Sequence, residues 1–261
     1  MITSMANQKI KRILELQKHS KARYKEGLFV AEGIRLFEEI PDELIEAVYY
    51  TDAFALKYEN KERLARLNNE TVEESIFKKI SDTVNPQGVM ALVRFPKWDA
   101  DAILSEENTL LLCLENVQDP GNLGTMIRTS EAAGVRAVFA TKDSVDVFSP
   151  KVVRSTMGAI FRVPVIYIED IAAMEKMLLS AGVSVYAAAL SEKNEYTDVD
   201  YRGKCAILIG NEGNGLSDAA ITGATSAIKI PMEGRVESLN AAVSAAVIMY
   251  EAKRQRNVVG L

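Results

Sequence analysis

From residue 109 onward, short apolar runs alternate with stretches of helical periodicity. The apolar runs that fit strands are TLLLCLE, VRAVFA, VPVIYI, VSVYAAAL, CAILIG and SAIKIP. Strands that are buried on both faces have continuous apolar sequences, and parallel neighbours need crossover connections, which are usually helical. The pattern therefore predicts a mostly parallel sheet covered by helices, that is, an α/β fold.

Residues 1–95 contain a smaller set of the same two kinds of element. A basic helix over about 7–19 precedes the strand LFVAEG, and QGVMALVRF closes the set as a strand. Residues 96–107, PKWDADAILSEE, are acidic and contain a proline and the single tryptophan, which is typical of a linker. We therefore expect a small α/β domain over 1–95, a linker over 96–107 and a larger α/β domain over 108–261.

The residue content excludes several kinds of site. His19 is the single histidine, so a catalytic group that needs an imidazole near the motifs described below is excluded, as is a His/Cys zinc cluster. Cys113 and Cys205 both lie in apolar runs, as expected for buried free thiols in a reducing cytoplasm. No apolar run approaches the ~20 residues that span a bilayer, and no secretory signal is visible. We expect a cytoplasmic protein with no metal ion and no membrane segment.

Positive charge is concentrated at the two ends of a chain whose net charge is −5. Seven Lys and Arg residues lie within positions 1–25 against one acid, Glu15, and the last predicted helix ends with Lys253, Arg254 and Arg256. Basic ends on an acidic body suit local contacts with phosphate. The alternative is a solvated helix face together with favourable charges at a helix C-terminus.

Three polar segments each follow a predicted strand, where parallel α/β sheets bind ligands. In the first, LENVQDPGNLGTMIRTSEAAG, Asn122 is expected to cap a helix over 122–133. Arg128 lies six residues further on, about 9 Å along the axis, and its side chain should lean back toward the helix N-terminus. An arginine there suits a bidentate grip on phosphate, although a surface arginine on an amphipathic helix is the alternative.

The second segment, ILIGNEGNGLS, carries three glycines and one ionisable side chain, Glu212. Glycines after a buried strand let a ligand approach the backbone closely. The segment is neither a Walker loop nor GxGxxG, and a plain glycine turn before a helix is the alternative.

The third segment, IKIPMEGRVESLNAAVSAAVIMYEAKRQR, predicts a helix that Ser238 or a neighbour caps. Apolar positions 239, 243, 246, 247 and 250 would form its buried face, and alanines would keep part of it thin enough for close packing. A core helix explains part of the pattern. It does not explain the polar entrance Glu237-Ser238-Leu239-Asn240.

Together these segments resemble the SpoU/TrmH branch of the SPOUT RNA methyltransferases. NVQDPGNLGTMIRTSEAAG, LIGNEGNGLS and IPMEGRVESLNAAVSAAVIMYE match the three family motifs in order, and SPKVVRSTMGAIFRVPV is similar to the family's connecting segment. The likeness covers about 108–256. KHSKARYKEGLFVAEGIRLFEE and NPQGVMALV are similar, less specifically, to the family's ribosomal-protein-like substrate-binding domain.

The resemblance implies a trefoil knot in the C-terminal domain and a homodimer whose active site forms across two catalytic domains. It also implies S-adenosylmethionine as the methyl donor, held mainly by the backbone of three loops. At the matching positions those loops contain Gly210, Ile230 and Leu239, with Leu190 at the edge.

The reaction that the resemblance implies is methylation of a ribose 2′-hydroxyl in RNA, with the catalytic role at Arg128 and with Asn122, Glu212, Ser238 and Asn240 around it. A guanidinium normally stays protonated in proteins. Two roles therefore remain open for Arg128: transient deprotonation by the RNA phosphate, or binding of that phosphate while stabilising charge as the hydroxyl loses its proton.

RNA is expected to contact Lys18, Lys21, Arg23 and Arg154. Ribosomal RNA of the 23S type is favoured over tRNA because the front domain is separate, an argument from family analogy. A non-catalytic RNA-binding or ribosome-assembly protein is a second reading, and it predicts RNA binding without methyl transfer. A dehydrogenase-like nucleotide binder would need GxGxxG after the first strand, which the chain lacks.

Overall fold

The computed structural model describes residues 1–190 and 194–258. The helices are α1 (Gln8–Lys18), α2 (Ser20–Glu26), α3 (Ile34–Glu39), α4 (Asp52–Lys57), α5 (Lys61–Arg66), α6 (Glu74–Ile80), α7 (Ala100–Ser105), α8 (Pro120–Ala133), α9 (Pro150–Ser155), α10 (Ile171–Ser180), α11 (Asp218–Gly223) and α12 (Ala241–Val258). The strands are β1 (Leu28–Glu32), β2 (Ile45–Tyr50), β3 (Asn69–Thr71), β4 (Val89–Arg94), β5 (Leu110–Leu114), β6 (Ala137–Thr141), β7 (Val165–Ile168), β8 (Ser184–Ala188), β9 (Asn194–Glu195), β10 (Cys205–Ile209) and β11 (Ser226–Lys229).

The chain forms two compact units, and one of them is built from two separate stretches of sequence. The first unit consists of Met1–Lys97 with Asp146–Phe161, and the second of Trp98–Val145 with Arg162–Leu261. This division differs from the predicted boundaries, because residues 146–161 leave the predicted catalytic domain and pack into the first unit. Sequence order alone contains no sign of such an excursion.

The first unit packs helices on a four-stranded sheet with the strand order β1-β4-β2-β3. Strand β4 pairs antiparallel with β1 and β2, and β2 pairs parallel with β3. Helix α1 buries Ile10, Ile13 and Leu16 against this sheet, a spacing of three that suits one helical face. The helix predicted over 7–19 ends at Lys18 because His19 is extended, and α2 then begins at Ser20.

Aromatic side chains hold residues 146–161 within the first unit. The ring of Phe148 stacks on Phe95 with 3.8 Å between centroids and lies 5.0 Å from the ring of Phe29. Phe161 stacks on the same Phe29 ring at 6.2 Å. Through these contacts, residues 146–161 contribute apolar side chains to the core of the first unit.

A buried ion pair reinforces this packing and corrects one prediction. The Arg23 guanidinium donates from Nε and Nη2 to Asp146 Oδ2 at 2.9 and 2.6 Å, and from Nη1 to the carbonyl of Leu16 at 2.7 Å. Arg23 is only 4% exposed. The prediction that Arg23 contacts RNA was therefore wrong, because all three guanidinium nitrogens bind protein oxygens away from solvent.

Within residues 98–190 and 194–258, the second unit contains a seven-stranded sheet with the order β7-β6-β5-β10-β8-β11-β9, and all neighbouring strands pair in parallel. The prediction of a mostly parallel α/β sheet is confirmed. Strand β10 lies between β5 and β8 and is buried along its whole length. Helices α10 and α11 pack on one apolar cluster of the sheet, while α12 packs along α8 and contacts β10.

The predicted linker over 96–107 is folded in large part. It contains α7, whose N-terminus is capped by Asp99 Oδ1 accepting from the Ala102 N–H at 3.1 Å. Ile103 and Leu104 are buried in the core of the second unit. Acidic composition suggested a linker, but the apolar pair at the end of ADAILS forms a buried helix face.

Helix α12 buries a different face from the one predicted. Its buried side chains are Ala242, Ala245, Ile248, Met249 and Ala252, whereas the predicted face at 243 and 250 is exposed. The small residues at 242, 245 and 252 allow α12 to approach α8 closely. The face that carries these small residues is therefore buried instead of the more apolar face.

No helix within residues 1–190 and 194–258 is long and apolar enough to cross a membrane.

Asp146→Ala should destabilise the first unit by about 3 kcal/mol or more, because it leaves the buried Arg23 charge without its partner. Urea unfolding monitored by fluorescence and circular dichroism measures the change. The control is Glu169→Gln, which breaks the exposed pair between Lys142 and Glu169 and should cost at most about 1 kcal/mol. Equal effects of the two substitutions would contradict a structural role for the Arg23–Asp146 pair.

Candidate active site

One cavity of about 190 Å³ lies at the carboxyl ends of β8, β10 and β11 in the second unit. Its lining comes from Ala188–Leu190, the glycine loop 209–215, residues 228–232 and the entrance of α12. The four residues predicted to contact the methyl donor, Leu190, Gly210, Ile230 and Leu239, all lie on it. Parallel pairing explains the convergence, because it brings the carboxyl ends of these strands to the same edge of the sheet.

The glycine loop after β10 is a tight turn that requires glycine at position 210. Asn211 and Gly215 exchange backbone hydrogen bonds of 3.0 and 2.9 Å, which brings the loop back on itself. A Cβ atom on Gly210 would lie less than 3.0 Å from the backbone of Gly215 and Leu216, too close for any side chain. Gly215 itself has φ 70°, a left-handed conformation that favours glycine.

Asn211 organises this loop, a role that the sequence reasoning missed. Its Oδ1 accepts from the backbone N–H groups of Gly213 and Asn214 at 2.9 and 3.0 Å. Its Nδ2 donates to the carbonyl of Asn116 in the loop after β5 at 2.8 Å. The available signal was an asparagine directly before a glycine turn, a residue that commonly bonds its own backbone two positions on.

Glu212 joins the loop after β10 to the start of α8. Its Oε1 accepts from the Asp119 N–H and from Asn122 Nδ2, and its Oε2 accepts from the Gln118 N–H, each at 3.0 Å. The partial desolvation of this exposed side chain opposes ionisation of Glu212, yet these donors outweigh it and hold the pKa of the carboxyl below its usual range. Glu212 is therefore a carboxylate at neutral pH.

A chain of amides continues from Glu212 to α12. Asn240 Nδ2 donates to Asn122 Oδ1 at 3.0 Å, and Asn240 Oδ1 accepts from the N–H groups of Ala242 and Val243 at 2.9 and 3.3 Å. Asn240 is thus the residue that caps α12, two positions after Ser238, the first candidate from the sequence. The structure brings Glu212, Asn122 and Asn240 together in one hydrogen-bonded row.

The prediction that Asn122 caps α8 was wrong, because Asp119 occupies the N-cap position. Asp119 Oδ1 accepts from the Asn122 N–H at 2.8 Å, and Pro120 fills the first position of the helix. The helix therefore begins two residues earlier than expected. This placement frees the Asn122 side chain to bind Glu212 and Asn240.

Two predicted catalytic residues stand apart from this row. Ser238 is exposed and lines the cavity beside Leu239. Arg128 is exposed on α8, and within residues 1–190 and 194–258 it has neither a hydrogen bond nor an ion pair. Its guanidinium is therefore accessible to a ligand from solvent.

The residues predicted to bind RNA have different surroundings in the first unit. Lys18 and Lys21 are exposed and line a shallow groove where α1 meets α2. Arg154 is half-buried and donates to Asp82 Oδ2 at 2.6 Å. Arg23 is buried, as described above.

Both cysteine side chains are buried. Burial raises the pKa of the Cys113 and Cys205 thiols, which keeps both protonated. Among the residues that the structure describes, no three His, Cys, Asp or Glu side chains lie close enough to hold a metal ion.

The sequence profile of the SpoU rRNA Methylase family matches residues 109–250. The chain belongs to this family. A second profile, the MRM3-like substrate binding domain, matches residues 7–91. The two profiles account for most of both units.

Named relatives and solved structures span nearly the whole chain. The 23S rRNA (guanosine(2553)-2′-O)-methyltransferase RlmP of Bacillus subtilis is 31% identical over 97% of this chain and 98% of its own length. The structure of an AdoMet-bound rRNA methyltransferase from Sinorhizobium meliloti is similar at 30% identity with a TM-score of 0.87, over 97% of both chains. The SpoU methyltransferase AviRb from Streptomyces viridochromogenes gives 26% identity and a TM-score of 0.86, over 97% of this chain and 99% of its own.

Glu212→Gln should lower the free energy of unfolding by about 1 kcal/mol at pH 7, because its amide would face the Gln118 or Asp119 N–H. The effect stays small because Glu212 is solvent-exposed. A carboxyl with a lowered pKa stabilises the fold above its unfolded pKa and loses that contribution as pH falls through its folded value. The gap between wild type and variant should therefore close below about pH 4.5, the ordinary value for Glu. Urea unfolding at several pH values, with exposed Glu233→Gln as the control, checks this; a constant gap would contradict it.

Proposed function

We propose that this protein transfers a methyl group from S-adenosylmethionine to a ribose 2′-hydroxyl of ribosomal RNA of the 23S type. The observation that carries the proposal is the position of Glu212, which lines the cavity and also begins the row through Asn122 to Asn240. The cavity lined by the predicted donor-binding residues and a fixed polar row therefore meet at one side chain.

The names of the relatives support the choice of RNA. RlmP, whose name gives 23S rRNA as its substrate, matches this chain over both units. Two structures with tRNA in their titles match 59% and 60% of this chain, with TM-scores of 0.54 and 0.53. RlmP, whose name gives 23S rRNA, thus matches more of this chain than either structure with tRNA in its title, which favours rRNA over tRNA.

The residues of the cavity fit S-adenosylmethionine. Gly210 lines the cavity with its backbone, and Ile230 and Leu239 supply apolar surface beside it. Such a site recognises a ligand through main-chain N–H and C=O groups. When bound, S-adenosylmethionine supplies a methyl group on a positively charged sulfur.

In the proposed reaction, S-adenosylmethionine held at Gly210, Ile230 and Leu239 would supply the methyl group, and the ribose 2′-hydroxyl that accepts it would release its proton to water. The protein must therefore position the hydroxyl and accommodate its proton. Asn122 and Asn240 are fixed by Glu212 and by the N-terminus of α12, so they are preorganised polar groups beside the donor site. Arg128 is free to bind the RNA phosphate and stabilise the developing charge.

Finer features of the architecture form part of the proposal. The insertion of β10 between β5 and β8, with α12 packed along α8, supports a trefoil knot in the C-terminal domain. The first unit, with its mixed four-stranded sheet and the lysines at 18 and 21, supports a ribosomal-protein-like domain that binds RNA. The substrate is rRNA, so the proposed location is the cytoplasm.

The exposed side of α12 supports a homodimer. Val243 and Tyr250 lie two turns apart on the same side of the helix and are 48% and 49% exposed, with half-buried Val247 between them. A row of large apolar side chains on a soluble surface marks an interaction site. A second copy of the same helix would cover it symmetrically.

Val243→Asp should convert the dimer to a monomer in size-exclusion chromatography with light scattering, because a carboxylate in an apolar interface lacks a partner. It should also abolish methyl transfer if the active site forms across the two copies. Leu56→Asp on α4, where the side chain is 82% exposed, is the control and should leave the assembly unchanged. A dimeric Val243→Asp protein would exclude this face as the interface.

Gly210→Ala should weaken binding of S-adenosylmethionine at least about tenfold, because its Cβ displaces the backbone at Gly215 and Leu216. Gly213→Ala is the matched control in the same loop, since its Cβ would meet only Asn211 Oδ1 at 3.5 Å. Isothermal titration calorimetry measures both. Equal affinities for the two variants would remove this loop from the donor site.

The function itself is tested with labelled S-adenosylmethionine and RNA from a strain that lacks this protein, assayed as separate rRNA and tRNA fractions and digested to nucleosides. Label should appear as a 2′-O-methyl nucleoside in rRNA. Label in tRNA would overturn the choice of RNA, and label on a base would overturn the ribose assignment. Donor binding without label in either fraction would favour a non-catalytic RNA-binding protein.

Arg128→Ala should reduce methyl transfer to rRNA at least about 1,000-fold, the scale on which removal of one transition-state contact acts. Its affinity for S-adenosylmethionine should stay within about twofold of wild type, since Arg128 lies outside the cavity lining. The same assay and calorimetry measure the two quantities. Near-wild-type turnover would remove Arg128 from the reaction.

A further inference from the structure

A second cavity lies in the first unit and takes no part in the site described above. It has a volume of about 360 Å³ and is formed by the start of α3, by α4 and α6, and by the chain before β4. Ligand pockets for small molecules begin at about this size. We propose that this cavity binds one unpaired nucleotide of the substrate RNA, an inference that rests on the proposed function.

The walls are apolar where a base would lie. Ile34, Ala53 and Pro86 line the cavity and keep part of their surface exposed. The buried rings of Phe54 and Phe77 form the floor of the cavity. These side chains present flat or small apolar surfaces without a charge among them. A nucleobase out of its helical stack needs apolar surface of this kind.

The polar groups of the cavity suit the edge of a base. Gln87 Oε1 accepts from the Ile34 N–H at 2.9 Å, which fixes the orientation of the amide. Within residues 1–190 and 194–258 no partner binds Gln87 Nε2, so this donor is available to a ligand. A fixed side-chain amide is a typical reader of unpaired bases, because it bonds the edge that pairing would otherwise cover.

Charge at the same cavity suits a phosphate. Lys57 and Lys78 line it from two different helices, both exposed, and neither has a hydrogen bond or ion pair in the part of the chain that the structure describes. Glu74 also lines the cavity, so the net charge there is one positive. Two free ammonium groups beside an apolar wall match the phosphate and base of a single nucleotide better than they match an apolar ligand.

The match of residues 7–91 to a substrate binding domain agrees with this occupant. RNA-binding proteins obtain sequence specificity from loops and bulges, where single bases are splayed out. The cavity would give the first unit a contact of that kind, in addition to the basic groove at Lys18 and Lys21.

The test is binding of unmodified 23S rRNA transcript, measured by filter binding over a range of salt concentrations. The double variant Lys57→Ala/Lys78→Ala should bind about tenfold more weakly, with a salt slope smaller by about 2. The control Lys11→Ala/Lys79→Ala removes the same charge from exposed positions outside the cavity, one of them adjacent to Lys78 on α6. Equal losses in both double variants would show a general charge effect and overturn the proposal.

Two further variants separate the base from the phosphate. Ala53→Phe fills the cavity from an exposed position and should weaken rRNA binding while leaving the salt slope unchanged. Glu74→Gln should strengthen binding, because it removes the negative charge beside the two lysines. Unfolding midpoints establish that each variant is folded. Wild-type affinity of Ala53→Phe would overturn the proposal.

Binding to this second cavity is tested directly by titrating the protein with each of the four nucleoside 5′-monophosphates and following the titration by two-dimensional NMR. Chemical-shift changes should appear around Ile34 and Gln87 and be absent in Ala53→Phe. The same changes with inorganic phosphate alone would reduce the site to an anion site and overturn the nucleotide assignment. If the cavity variants bound rRNA as tightly as wild type and methylated it, the cavity proposal alone would be overturned. If the wild-type protein did not bind rRNA, the proposed function would be overturned as well.

Discussion

The parallel insertion of β10 between β5 and β8 is the constraint on which the active site depends. Because all three strands run in the same direction, the loop after β5 and the loop after β10 leave the sheet at the same edge. Glu212 then spans the two loops through the Gln118 and Asp119 N–H groups. Any other order of these strands would separate the carboxylate from the helix whose first turn it binds.

In the hydrogen-bonded row from Glu212 to Asn240, the chemistry of the two ends determines which group of each amide donates and which accepts. The carboxylate only accepts, so Asn122 must present its NH₂ group to it and its oxygen to Asn240. The free N–H groups at the start of α12 only donate, so Asn240 must present its oxygen to them. Both amides are therefore fixed without any further contact, and the polar surface beside the cavity is rigid.

Local patterns in the sequence predicted the parallel sheet and the polar loops that follow its strands, because buried strands and glycine turns leave such patterns. The assignment of Leu190, Gly210, Ile230 and Leu239 to a donor site came from the resemblance to the family, and it stays a prediction. The sequence could not predict what depends on packing at a distance. Arg23 lies among exposed lysines in the sequence, and its ion-pair partner Asp146, 123 residues away, gives no local sign that Arg23 is buried. Helix α12 offered two apolar stripes, and the distance to α8 decided between them. The cap of α8 was assigned to Asn122 because Asp and Asn are both favourable N-cap residues. Pro120 favours Asp119, because proline is preferred at the first position of a helix.

Under the proposed function, the fate of the hydroxyl proton narrows the roles of the side chains. Among the residues that the structure describes, Glu212 is the ionisable side chain on the cavity lining, but both its oxygens already accept hydrogen bonds and its pKa is lowered. Protonation would cost those bonds, so Glu212 is a poor base and a good support. Arg128 keeps its guanidinium free, and a guanidinium remains charged at neutral pH. A cation that binds the RNA phosphate would hold the ribose 2′-hydroxyl in place and stabilise the negative charge that develops as the hydroxyl loses its proton.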